Sequence, residues 1–121
     1  RLLSDHVERG MVAGETPLVI EVEFCTHGYD CVSRGDQRTS KYYNHYIKVC
    51  DVLEKHLFPS WNICFVIKRG RPRQGAFEVE LLWVVGSVEY SVTLASKICN
   101  AKFPNAENIA KRLHAALHPG V

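Results

Sequence analysis

Two short segments of the chain alternate apolar and acidic residues, and this alternation is the strongest constraint on the fold. The segments are Val19-Ile-Glu-Val-Glu-Phe-Cys25 and Gln74-Gly-Ala-Phe-Glu-Val-Glu-Leu81. Successive side chains of a β-strand point to opposite faces of a sheet, so each segment predicts a strand with one buried and one polar face. The first strand ends on Cys25, which places a thiol at the start of the following loop.

The other periodic segments predict the remaining elements of an α/β domain. A helix is predicted by apolar residues at helical spacing, namely Tyr42, Tyr46, Val49, Leu53 and Leu57. Alternating residues predict further strands near 61–67, 77–83 and 88–94, and a last helix follows Asn105. The predicted order is β-α-β-β-β-α, with the first two strands parallel and the last two in a hairpin. We therefore expect a thioredoxin-like two-layer sandwich with a mixed four-stranded sheet and two helices on one face.

Length and composition indicate a single domain without a strong charge signal. The chain has 121 residues, of which 46% are hydrophobic, and its net charge of +2 is too small to imply a nucleic-acid or membrane partner. We expect an N-terminal arm over residues 1–16, packed or mobile, and a domain over residues 17–118. Five cysteines cannot all pair within one chain, which favours a reducing intracellular compartment. Because the chain begins at Arg1, we expect a processed product or a part of a longer protein.

Three blocks of residues resemble the Rdx family of thioredoxin-like proteins, which comprises selenoproteins W, T and H, and the resemblance is nearest to selenoprotein H. The blocks are Val19–Cys25, the run Arg71-Pro-Arg-Gln-Gly-Ala-Phe-Glu-Val-Glu-Leu81, and Lys102-Phe-Pro-Asn-Ala-Glu107. The resemblance implies a thioredoxin-like fold and, in active members, a Cys-x-x-Cys or Cys-x-x-selenocysteine pair just after the first strand. Cys25 occupies the first position of that motif, whereas Gly28 occupies the second. The nearest downstream cysteine is Cys31, across a longer loop than the family has.

The degenerate motif leaves two main interpretations of function. In the first, the chain is a non-catalytic structural or protein-interaction component that binds other subunits of a larger assembly, such as an organellar complex. In the second, it is a thiol–disulfide oxidoreductase in which Cys25 attacks and Cys31 resolves. A zinc site formed by Cys25, His27, Cys31 and either His45 or His6 is a further alternative, although the spacing matches no common zinc motif. We expect no cofactor and no membrane insertion.

Four further residues are candidates for partner binding. The turn Lys68–Arg73 contains Arg69-Gly-Arg-Pro, the core of an AT-hook that binds the DNA minor groove, so Arg69, Arg71 and Arg73 give a weaker nucleic-acid alternative. Trp83 lies in an apolar stretch at the hairpin end, where it would dock against another chain. A mitochondrial matrix or nuclear location is compatible with these features.

Overall fold

The polypeptide forms the helices and strands that its periodicity predicts, together with two short helices that it does not. The computed structural model describes residues 3–12, 16–25, 41–56, 61–70, 72–73 and 75–117. The elements are, in chain order, α1 (Leu3–Glu8), β1 (Leu18–Phe24), α2 (Lys41–His56), β2 (Ile63–Ile67), β3 (Phe77–Val85), β4 (Val88–Ser96), α3 (Lys97–Asn100) and α4 (Ala106–Leu117). The predicted loop over residues 26–38 lies outside the described residues.

The four strands form one mixed sheet in the order β2-β1-β3-β4. Strand β1 is parallel to β2, with Val19 opposite Cys64, and antiparallel to β3, with Val22 opposite Val79. Strands β3 and β4 form the antiparallel hairpin, with one register shift next to Val79. This pairing confirms the mixed four-stranded sheet with a parallel crossover that the sequence predicts.

Helices α1, α2 and α4 pack on one face of this sheet. The buried face carries alternate residues of the two central strands: Leu18, Ile20, Val22 and Phe24 of β1, and Phe77, Val79, Leu81 and Trp83 of β3. They form one core cluster with apolar side chains of the helices, including Val49, Leu53, Ile109 and Leu113. The opposite face, which carries Glu21 and Glu80, has no helix of the described residues on it, so the molecule is an α/β protein compatible with two layers.

Local hydrogen bonds fix where the C-terminal helices begin. The Asn105 side chain accepts from the N–H groups of Glu107 (2.8 Å) and Asn108 (3.3 Å), which satisfies two donors at the start of α4. Ser96 caps α3 in the same way by accepting from Cys99 N–H at 3.1 Å. Ala101 ends α3 in the left-handed conformation, with φ of 59°. The Asn105 cap accounts for the predicted start of the last helix directly after Asn105.

The N-terminal arm is attached to the core by a buried histidine. Leu3 and His6 of α1 are each 1% exposed, and His6 Nδ1 accepts a hydrogen bond from Trp83 Nε1–H at 2.9 Å. The His6 ring also packs on Tyr90, with ring centroids 4.5 Å apart. Because Trp83 is itself only 1% exposed, it lies in the core instead of presenting the partner surface expected from the sequence. The exposed apolar side chains at this end of the hairpin are Val84 and Val88.

We predict that His6→Phe lowers the free energy of unfolding by about 1–3 kcal/mol, because it leaves the Trp83 N–H buried without an acceptor. Urea denaturation followed by tryptophan fluorescence measures the change. The matched control is a double-mutant cycle with Trp83→Phe: once the donor is gone, His6→Phe should cost clearly less. A loss below about 0.5 kcal/mol in the single variant would contradict this role for the hydrogen bond.

Candidate functional site around Cys25

Cys25 directly follows β1 and is held in place by the neighbouring strand. Its backbone N–H donates to the carbonyl oxygen of Ala76 at 2.9 Å, one residue before β3 begins. The residue is 0% exposed, and its sulfur is in a disulfide bond. Cys31, the partner that the sequence predicts, lies outside the described residues. Cys25 is therefore an oxidised sulfur fixed at one end of the sheet.

The burial of Cys25 bears on its predicted role as the attacking thiol. A thiolate that attacks a substrate needs access to it, and the disulfide-bonded Cys25 has no exposed surface. In this oxidised form, an incoming thiolate has to reach the other sulfur of the bond, and Cys25 is then the sulfur released. Attack by Cys25 in the reduced protein stays a prediction.

The three remaining cysteines are free thiols. Cys64 and Cys99 are exposed, whereas Cys50 is partly buried in α2. Burial raises the pKa of the Cys50 thiol, and the nearby carboxylates of Asp51 and Glu54 raise it further, although a hydrogen bond with Tyr46 acts in the opposite direction. Cys50 is thus a protonated, poorly nucleophilic thiol at neutral pH.

Aromatic side chains from the beginning of α2 pack beside the end of β1. Tyr46 stacks on Phe24 with ring centroids 5.2 Å apart, and Tyr43 packs on the same ring at 6.2 Å. Burial raises the pKa of Tyr46 to about 12, so its hydroxyl stays protonated over the physiological range. Tyr42 is buried, whereas Tyr43 is exposed. Of the two tyrosines on the predicted apolar stripe, Tyr42 is therefore in the core and Tyr46 is partly buried against it.

A second aromatic group, surrounded by cations, lies between the start of α2 and the loop before α4. The His45 ring stacks flat on Phe103, with centroids 4.0 Å and planes 5° apart. The Nζ atoms of Lys41 and Lys97 lie 5.2 and 5.1 Å from the centre of the same ring. Burial lowers the pKa of His45, and the charges of Lys48 and Lys41 lower it further, so His45 is neutral at pH 7. Beside it opens a cleft of about 390 Å³ that reaches Asn105.

The basic turn is held against the polar face of the sheet by Arg73. The Arg73 side chain donates to both carboxylate oxygens of Glu23, at 2.8 Å from Nη2 and 3.1–3.2 Å from Nε, and its backbone N–H donates at 2.8 Å. Glu23 is thereby buried although it lies on the polar face. The hydrogen bonds from Arg73 hold the pKa of Glu23 below its usual value, against the opposing effect of burial.

This placement separates the residues predicted to bind partners. Arg69 is exposed, Arg73 is paired with Glu23, and Arg71 lies outside the described residues. Trp83 is six residues beyond Phe77 on β3, about 20 Å away along the strand, so it does not share a surface with the turn. Arg73 lies just outside the Arg69-Gly-Arg-Pro core, and its guanidinium is bonded to the Glu23 carboxylate.

Sequence reasoning missed the acidic residues that organise this end of the sheet. Glu23 lies directly opposite Glu78 across the β1–β3 pair, and like charges in this position repel. Glu78 is also buried, and it accepts hydrogen bonds from the Ser96 hydroxyl and from the N–H groups of Lys97 and Ile98 at the start of α3. The sequence signal for this arrangement was the pair of facing Glu-Val-Glu segments, which require cations or N–H donors between them.

Comparisons with other proteins do not assign this arrangement. The chain matches no protein-family model, no curated protein and no solved structure at a significant level. Within the described residues, no group of three or more His, Cys, Asp or Glu side chains has the geometry to hold a metal ion. His27 and Cys31, which the zinc hypothesis requires, lie outside them. None of the helices described is long and apolar enough to span a bilayer.

We predict that Arg73→Gln destabilises the protein at neutral pH and that the effect fades in acid. The folded-state pKa of Glu23 is below its ordinary value of 4.5. Its ion pair therefore contributes stability above that value, and the contribution is lost as the pH falls through the folded-state pKa. The measurement is urea denaturation of both proteins between neutral pH and the acid limit of folding.

The matched control for this test is Arg69→Gln, which removes a charge from the same turn but from an exposed side chain. It should change the free energy of unfolding by less than about 0.5 kcal/mol. A difference between wild type and Arg73→Gln that stays constant from neutral to acid pH would contradict the role given to Glu23.

Proposed function

We propose that this chain is a thiol–disulfide exchange protein with a thioredoxin-like fold of the Rdx type, and that its redox-active bond joins Cys25 to Cys31. The observation that carries the proposal is that Cys25 is disulfide-bonded where β1 ends. In the resemblance to the Rdx family, Cys25 is also the residue that occupies the first cysteine position of the motif. The sheet order supports the fold, because parallel β1 and β2 followed by an antiparallel hairpin are the arrangement of a thioredoxin-like core.

The surroundings of the disulfide hold the Cys25 sulfur in place. The Cys25 backbone N–H is bonded to Ala76, and Cys25 follows Phe24, which packs on Tyr46. A sulfur held in this way returns to the same position when the bond re-forms, which supports repeated opening and closing of the disulfide.

The exchange proceeds in two balanced steps. A substrate thiolate attacks the Cys31 sulfur, the S–S bond to Cys25 breaks, and Cys25 leaves as a thiolate that takes up a proton. A second substrate thiol, once deprotonated, attacks the resulting mixed disulfide and releases Cys31 as a thiol. The substrate dithiol is oxidised to a disulfide by two electrons, and the protein is reduced to two thiols. The reverse sequence reduces a substrate disulfide, with Cys31 as the attacking thiol.

The test is trapping of mixed disulfides by single cysteine variants. Cys25→Ser leaves Cys31 able to attack but without its resolving partner, so it should accumulate a mixed disulfide with a model substrate disulfide. Cys31→Ser leaves only the buried Cys25 of this pair and should trap roughly tenfold less at that pair, as mapped by mass spectrometry, because accessibility limits thiol exchange. Cys99→Ser, which removes an exposed free thiol, is the matched control and should behave like wild type.

Two outcomes of the trapping experiment would overturn the proposal in different ways. Equal trapping by the two variants would contradict the assigned order of attack. No trapping by either variant, with both still folded by circular dichroism, would mean that the disulfide is structural.

A non-catalytic role in protein binding is the second candidate, and one observation favours it. The sheet face away from the core exposes Val66 beside Glu21 and Val84 beside Glu89. A mixed apolar and acidic surface of this kind suits a protein partner. In that case Cys25→Ser would leave partner binding unchanged, whereas Val84→Lys would weaken it.

A further inference from the structure

Strand β2 is an edge of the sheet, and no strand of the described residues pairs with its outer side. It is the first strand in the order β2-β1-β3-β4, and its five residues, Ile-Cys-Phe-Val-Ile, carry no charge and no proline. Natural proteins usually protect an edge strand with charged residues, proline or a bulge, because its free backbone groups pair readily with another strand. The opposite edge, β4, follows that rule with Glu89, Ser91 and Thr93, and with a register shift in its pairing.

The backbone groups on the outer side of β2 belong to three residues. The Asn62 carbonyl accepts from Leu18 N–H and the Lys68 N–H donates to the Val22 carbonyl, both at 2.9 Å, so even-numbered residues bond towards β1. Backbone groups alternate in direction along a strand. Those of Ile63, Phe65 and Ile67 consequently point away from the sheet, where no strand among the described residues pairs with them.

The side chains along this edge remain accessible as well. Ile67 is 49% exposed and Val66 is 37% exposed, and Cys64 is an exposed free thiol. Ile47 of α2 is exposed on the flank of that helix opposite His45. An uncharged strand with accessible backbone and apolar side chains is suited to pairing by β-strand addition.

We propose that the occupant of this edge is a second copy of the chain, paired antiparallel through β2 to give one continuous eight-stranded sheet. A two-fold axis through Phe65 places Ile63 opposite the second copy's Ile67, and all outward-facing backbone groups then meet in hydrogen-bonded pairs. This register uses all five residues of the strand. The two-fold axis also keeps the helices of both copies on the same side of the sheet.

The flanking residues are complementary in the same register. Lys68 lies opposite Asn62 of the second copy, one residue beyond each end of β2. The cation thus meets an amide, and no like charges face each other. On the open face, Cys64 lies opposite the second copy's Val66. β2 is therefore expected to pair with a second copy of itself in preference to an unrelated strand, because the residues at its two ends are complementary when two copies run antiparallel.

The test measures molecular mass by sedimentation equilibrium, with reductant, from micromolar to millimolar protein. A five-residue edge buries less surface than the roughly 1,200 Å² of a stable interface, so the mass should rise with concentration from 13.7 kDa towards twice that value. Val66→Lys places a charge on the edge and should weaken self-association at least about tenfold. Val84→Lys, the same change at an exposed valine of the inner strand β3, should associate like wild type.

A cysteine substitution tests the register directly. Val66→Cys would place a thiol opposite Cys64 of the second copy in a non-hydrogen-bonded pair, about 4.5 Å apart at Cα, which is within disulfide range. Oxidation should yield a covalent dimer whose mapped bond joins residues 64 and 66 of different copies, whereas Val66→Ser should yield none.

A wild-type chain that stays monomeric at every concentration would overturn the proposal. It would indicate that the edge pairs instead with an extended segment of another protein. Equal weakening by Val66→Lys and Val84→Lys would overturn the assignment to β2.

Discussion

The burial of β1 on one face only is the constraint on which the rest of the structure depends. β1 is a central strand, parallel to β2 on one side and antiparallel to β3 on the other. Leu18, Ile20 and Val22 are completely buried beneath the helices, while Glu21 and Glu23 point to the opposite face. A shift of one residue would bury the carboxylates and expose the apolar residues, so this alternation fixes the register of the sheet. It also fixes the place where the chain leaves the sheet, which is Cys25.

The polar face of the sheet carries carboxylates that face each other and need cations or N–H donors between them, and the basic turn supplies one such cation. Glu21 faces Glu80 and Glu23 faces Glu78, so β1 and β3 bring four carboxylates together. Arg73 pairs with Glu23, and the first N–H groups of α3 bond to Glu78. The turn that looks like a nucleic-acid motif therefore stabilises the sheet next to Cys25. The disulfide end of the molecule is rigid because the strand pairing, the turn and α3 all converge there.

Much of the fold was predictable from the sequence because its signals are local. Alternation gave all four strands, and helical spacing gave α2 and α4. Helix α1 was missed because its buried residues are Leu3 and His6, and a histidine is not recognised as a core residue by hydrophobic pattern. Trp83 was assigned to a surface because only the tertiary contact with His6, 77 positions earlier in the chain, shows that its N–H has a buried partner.

The site residue Cys25 was predictable from the sequence, whereas its burial and its contacts were not. The end of the first alternating segment identified Cys25, whereas its burial and the bond to Ala76 depend on the pairing of distant strands. The partner of the disulfide and the direction of attack are tertiary properties that a motif does not specify when its second thiol position is a glycine. For the same reason the edge of β2 became a candidate interface only after the strand order was known.

The central claim is that the Cys25 disulfide is a reversible redox bond, and its equilibrium with glutathione tests this most directly. The protein would be equilibrated in buffers of graded reduced and oxidised glutathione, quenched with acid, and its disulfides mapped by mass spectrometry. We expect a Cys25–Cys31 bond that opens and re-forms reversibly within the range poised by cellular glutathione, about −180 to −320 mV. A bond that resists reduction over this entire range, or that joins Cys25 to another cysteine, would contradict the account.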